Sequence, residues 1–138
     1  MTSHTLVPFD GSPQSEAALK FAVSEWPEAT HTLLYVADPV TTGFRDRALP
    51  GGSTAWYDNA RDRAQDYFDE AAELTGREFD TRVEVGSPAR VIVDVAADGP
   101  FDHVILGSHG REGVSRVLLG SVAETVVRRS PVPVTVVR

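Results

Sequence analysis

Two short stretches, Asp10-Gly11-Ser12 and Gly107-Ser108-His109-Gly110, have residue types that could do chemistry. Gly120-Ser121 follows the second, giving the spacing G-x-x-G-x9-G-S. Lacking a Cβ, Gly107 and Gly110 let backbone amides approach an anion and can adopt φ > 0, so a turn there can fold around a phosphate. At a helix start, Gly120-Ser121-Val122 would offer free N–H groups, the positive end of the helix dipole and the Ser121 hydroxyl to the same anion. Asp10, in an Asp-Gly pair, could be no more than a turn residue. His109 could touch phosphate or metal, or be a solvated loop histidine. Arg111 and Arg116, between the glycines, could pair with phosphate oxygens or serve solubility alone. The glycine trio could itself be three unrelated turn or packing glycines.

What is missing also bounds the chemistry. The Walker loop and G-x-G-x-x-G do not occur, Lys20 is the only lysine, and there is no cysteine. Thiolate-ligated zinc and a cysteine nucleophile are thereby excluded. With no nucleophile–base pair at these loops and no Walker lysine, the expectation is slow phosphoryl transfer or none, and no catalytic residue is assigned. An electron-transfer or nucleotidyl-transfer enzyme is a weaker reading, since no paired catalytic histidine motif is present.

These loops need elements to position them. Thr5–Phe9 reads as a buried strand, followed by Ser12 as helix N-cap and Pro13 at the first helical position. Ala17, Leu19, Phe21, Ala22 and Trp26 predict a helix ending before Pro27, and Thr32–Ala37 predicts a second strand. Residues 38–55 have no period and read as a long, mobile loop, a candidate lid. From Trp56 to Thr75 apolar residues recur at steps of three and four, an amphipathic helix stopped by Gly76. Its aromatics Trp56, Tyr57, Tyr67 and Phe68 read as core or lid packing rather than a base-stacking platform. Phe79–Val85 alternates like a sheet-edge strand, and Ser87-Pro88 starts a short apolar helix stopped at Asp98-Gly99-Pro100. A strand at His103–Leu106, a helix over Ser121–Ser130 and a strand at Val134–Val137 complete the alternation. Such an order predicts parallel strands joined by right-handed helical crossovers, with ligands beyond the carboxyl ends of the strands.

Composition sets the remaining limits. The 138 residues, 41% hydrophobic and 24% charged, are those of one ordinary globular domain spanning 1–138. A formal charge of −7 argues against affinity for a nucleic-acid backbone, so any phosphate must be held locally. No apolar run is long enough for a membrane helix, and the first residues lack a signal peptide's basic and apolar regions, so a cytoplasmic location is expected. Lysine-poor acidity predicts a protein suited to high salt.

The motif, with Val7-Pro8-Phe9-Asp10-Gly11-Ser12, Leu33-Leu34-Tyr35-Val36, Val85-Gly86-Ser87-Pro88 and the closing Pro131–Val137, resembles the ATP-binding branch of the universal stress protein family, and does so over essentially the whole chain. The resemblance implies a three-layer α/β fold of the adenine nucleotide alpha hydrolase-like kind. Its open parallel sheet would have five strands in the order 3-2-1-4-5, with helices on both faces. It implies ATP, with Mg2+ or Mn2+, as ligand, Asp10 facing the ribose and the metal, and the Val36 backbone meeting adenine. Gly107 would lie on the ribose side, with Gly110, Gly120, Ser121 and Val122 cradling phosphate. The nucleotide-contacting set is then Pro8, Phe9, Asp10, Val36, Leu106, Gly107, His109, Gly110, Arg111, Gly120, Ser121 and Val122. Phe9 is bulkier than the residue usual there, and is expected to narrow the adenine side. A homodimer through Val134–Val137 is also implied. The alternative is a dimeric stress-response interaction protein that binds no nucleotide.

Overall fold

The computed structural model describes residues 2–39, 52–108 and 119–138. Its elements run β1 (His4–Pro8), α1 (Pro13–Glu25), β2 (Thr30–Ala37), α2 (Gly52–Thr75), β3 (Asp80–Val85), α3 (Pro88–Asp98), β4 (His103–Gly107), α4 (Ser121–Arg129) and β5 (Val134–Val137). All strand pairs are parallel and the sheet order is β3-β2-β1-β4-β5. The interior strands β1, β2 and β4 are almost continuously buried, apolar toward their carboxyl ends and polar at Thr5, His31 and Thr32, because helices cover both of their faces. At the β3 edge the pattern is instead charged and partly exposed.

Local signals start and stop the helices. The Ser12 side chain accepts the Ser15 N–H at 3.2 Å, Pro13 occupies the first turn, and Trp26 caps the far end just before Pro27. Ser87 makes no such side-chain bond, so α3 relies on Pro88 and on the burial of Ile92, Val95 and Ala96.

The sheet divides the interior in two. Val7, Phe9, Leu33, Tyr35 and Ile105 pack under α1 and α2, whose contacts are mostly alanines that let the helices lie close: Ala18, Ala22, Ala60, Ala64 and Ala71. Leu6, Leu34, Val104 and Leu106 pack under α3 and α4.

One expectation is corrected. Helix α2 begins at Gly52, so 52–55 are helical and do not belong to the long loop; residues 40–51 lie outside the described residues. Gly52, Ser53 and Thr54 supply no apolar residue on which a period could begin, ahead of Trp56 in the buried core. Smaller shifts have similar causes. Strand β2 starts at Thr30 because Thr30 and His31 pair with His4 and Thr5, and β1 ends at Pro8 although the Phe9 N–H still donates to Leu34 O at 2.9 Å.

Candidate functional site

Strands β1 and β4 are neighbours, yet the chain leaves them for opposite faces: α1 packs in the core with Val7 and Phe9, and α4 in the core with Leu6 and Leu106. Divergence of adjacent crossovers opens a cleft at the carboxyl ends of the two strands, the switch point where open α/β sheets take ligands.

On the β1 side, Pro8 ends the strand and Asp10 is partly buried, its Oδ1 accepting the Ser12 N–H at 3.0 Å in an Asx turn. Gly11 makes that turn possible. Its φ is +77°, and a Cβ there would lie 2.6 Å from the Tyr67 ring, which in turn packs on Tyr35 with centroids 5.7 Å apart. The Phe9 ring is 2% exposed and belongs to the α1/α2 core, so it does not narrow the cleft as expected. Alternation along β1 turns it to the same face as Val7.

Val36 lies near the end of β2, one residue pair past Leu34. Leu34 O accepts the Phe9 N–H, so strand alternation turns the Val36 backbone groups toward the same neighbour, beyond the last residue of β1. Its side chain packs against the α3/α4 core.

On the β4 side, Leu106 is buried on the α3/α4 face, and Gly107 closes the strand. The reason for glycine at 107 differs from the expectation. Positive φ occurs at Gly11, Gly76 and Gly86 among the described residues, not at Gly107. A Cβ on Gly107 would fall 2.7 Å from Gln14 Cβ and 2.8 Å from the Gln14 carbonyl, so close packing on the first turn of α1 excludes any side chain. Gln14 Oε1 is itself buried with no hydrogen-bond partner among the described residues.

Gly120 is the N-cap of α4 and its N–H donates to Ser108 O at 2.7 Å, while the Ser108 N–H donates to Val137 O at 2.9 Å. The start of α4 is thereby tied to the ends of β4 and β5. Helix geometry leaves the N–H groups of Ser121 and Val122 without intrahelical acceptors, and Glu124 in the first turn with Arg128 and Arg129 in the last follow the helix dipole. His109, Gly110, Arg111 and Arg116 lie outside the described residues.

The structure thus brings Asp10 and Gly107 to the ends of adjacent strands and sets Gly120–Val122 beside the latter. Sequence reasoning missed Ser108, a buried small residue inside the motif that could have been noticed there. Tyr67, read as core or lid packing, does pack on the core, but no local spacing announces its place behind Gly11.

Comparison with known proteins agrees with this architecture. The model of the universal stress protein family matches residues 1–138. Universal stress protein MJ0531 of Methanocaldococcus jannaschii is 31% identical over 138 residues, 96% of this chain and 80% of that protein. The solved structure of MJ0577 from the same organism superposes with a TM-score of 0.79 at 29% identity, covering 99% of this chain and 96% of the other. A universal stress protein solved in complex with cAMP shares the fold at a TM-score of 0.63 and 24% identity, covering 99% and 97% of the two chains. Sequence match and sheet order together show that the chain belongs to the universal stress protein family.

Proposed function

We propose that this chain is a single nucleotide-binding regulatory domain that takes ATP, with a divalent cation, at the carboxyl ends of β1 and β4 and turns it over slowly or not at all. The observation that carries the reading is the start of α4. Its N-terminal amides are held at the mouth of the switch-point cleft by the Gly120–Ser108 bond of 2.7 Å, with a small, uncharged Gly-Ser pair in front of them. On a chain of net charge −7, this is the local arrangement that can still hold phosphate. In this reading Gly120, Ser121 and Val122 cradle phosphate with Gly110, His109 and Arg111, and Asp10 faces the ribose. The Val36 backbone meets the base, and Pro8, Phe9, Leu106 and Gly107 supply main-chain walls and floor. Among the described residues no group of three His, Asp or Glu gathers to bind a metal, so Mg2+ or Mn2+ fits as a cation carried on phosphate oxygens with Asp10 alongside. A family neighbour that binds an adenine nucleotide, cAMP, supports the ligand class. We further propose a cytoplasmic homodimer paired through β5, the outer strand of the sheet.

Isothermal titration of ATP with Mg2+ at high KCl tests the site, beside the variant Gly120→Phe. Micromolar binding is expected, weakened tenfold or more in the variant, a loss of about 1.4 kcal/mol or greater. No binding by the wild type would leave a nucleotide-free dimeric interaction module as the better account, and turnover near kinase values of roughly 1–100 s⁻¹ would overturn the regulatory reading.

A further inference from the structure

At the amino end of the sheet, opposite the cleft, a polar row crosses the face covered by α1 and α2. His31 and His103 both stand in register with Thr5, one on each neighbouring strand. Alternation puts all three on the same face as Val7, Leu33 and Ile105. Trp26, the C-cap of α1, closes over the row. Its backbone carbonyl lies 3.0 Å from His31 Nε2, and its ring packs against His103 with centroids 4.8 Å apart and the planes tilted by 56°.

The partners fix the state of His31. A carbonyl only accepts, so Nε2 carries the hydrogen, and the neutral ring then accepts the Thr5 hydroxyl proton at Nδ1 over 2.6 Å. Thr5 is fully buried and His31 is 2% exposed. To accept a proton added at Nδ1 the Thr5 hydroxyl would have to turn, and inside this fully buried pair its own proton would then lose the acceptor it has. His103 is different: its nitrogens face the hydroxyls of Thr2 at 3.0 Å and Thr135 at 2.7 Å, both on partly exposed residues, which can turn to accept and still point their own protons to solvent.

We propose that the His31–Thr5–Trp26 arrangement is an acid-sensitive latch, in which protonation of His31 at Nδ1 ejects the ring and frees the carboxyl end of α1 from the start of β1 and β2. The surrounding charges favour that outcome. Desolvation holds the His31 pKa below its ordinary value against the Trp26 carbonyl, which raises it, and the Arg77 guanidinium adds repulsion. Glu78 and Asp80 line the same open hollow of about 240 Å³ as His31 and Arg77, and from there can draw the ejected imidazolium outward. Desolvation lowers His103 as well, with Asp102 raising it. The Asp102 carboxylate is engaged by the Ser3 and His4 backbone N–H groups and the Ser3 hydroxyl.

The test uses the full chain. Histidine ring resonances are followed by NMR from pH 8 to 5 in the wild type, with Trp26 emission followed in Trp56→Phe, where it is the only indole. We expect His31 to titrate below the free imidazole value of about 6.5. Trp26 emission should shift red at the same midpoint while far-UV dichroism holds, and the shift should persist in His103→Asn. In Thr5→Val, which removes the bond favouring the neutral ring, the midpoint should rise. A His31 titration at or above the free value, an emission change abolished in His103→Asn, or a red shift that comes only with loss of dichroism would each overturn the latch. The NMR titration decides the matter even where a variant does not fold.

Discussion

Gly11 shows how much can hang on one absent methyl group. Its φ of +77° is one that an L-residue resists, and the Tyr67 ring occupies the space a Cβ would need. Gly76 has a similar φ of +69° but open space around it. Gly76→Ala therefore reports backbone strain alone, about 1 kcal/mol, and Gly11→Ala adds a clash that raises the cost to about 2–4 kcal/mol. Urea unfolding of both variants checks this, and equal costs would show that Tyr67 yields freely. Only Gly11→Ala should also disturb the Asx turn that holds Asp10. His31 belongs to the same scale. Its folded pKa is depressed, so the unfolded chain binds the proton more readily, and its contribution to stability is complete above about pH 6.5 and lost as pH falls below that.

Among the elements, β5 is an edge strand with thin cover: all four of its residues are partly exposed. Pro133 O and Val137 O accept N–H groups from Val104 and Ser108, so alternation turns the amides of residues 134 and 136 to the free edge. Val136→Pro should then remove an edge donor while leaving the β4 ladder intact. Sedimentation at micromolar concentration is expected to show a wild-type dimer and a monomeric variant, and a monomeric wild type would end the dimer proposal. Legibility at this scale followed the physics. Every strand and helix was readable from apolar period and caps, because Ser12-Pro13, Ser87-Pro88 and the unbroken apolar strands carry local signals. The start of α2 was not, since Gly52-Ser53-Thr54 supplies no apolar residue on which a period could begin. In the site, the positions of Asp10 and Gly107 at the ends of adjacent strands β1 and β4 were readable, whereas the inward turn of Phe9 and the packing role of Gly107 depend on partners distant in sequence.

For the whole molecule, charge is the dominant variable. Twenty acidic residues face thirteen basic ones, and among the described residues the ion pairs are surface contacts, such as Arg90–Asp94 at 3.9 Å, which contribute little in water. Net repulsion should therefore be relieved by salt, and the melting temperature is expected to climb as KCl is added; a flat or falling series would count against a high-salt protein. One local contact reaches further than its size suggests. Because the Gln14 backbone leaves no room for a side chain at position 107, the fold demands that glycine whether or not anything is ever bound. A descendant that gave up its ligand would still carry it, so the first glycine of the motif is a record of architecture, and inheritance of the ligand is to be read from position 120.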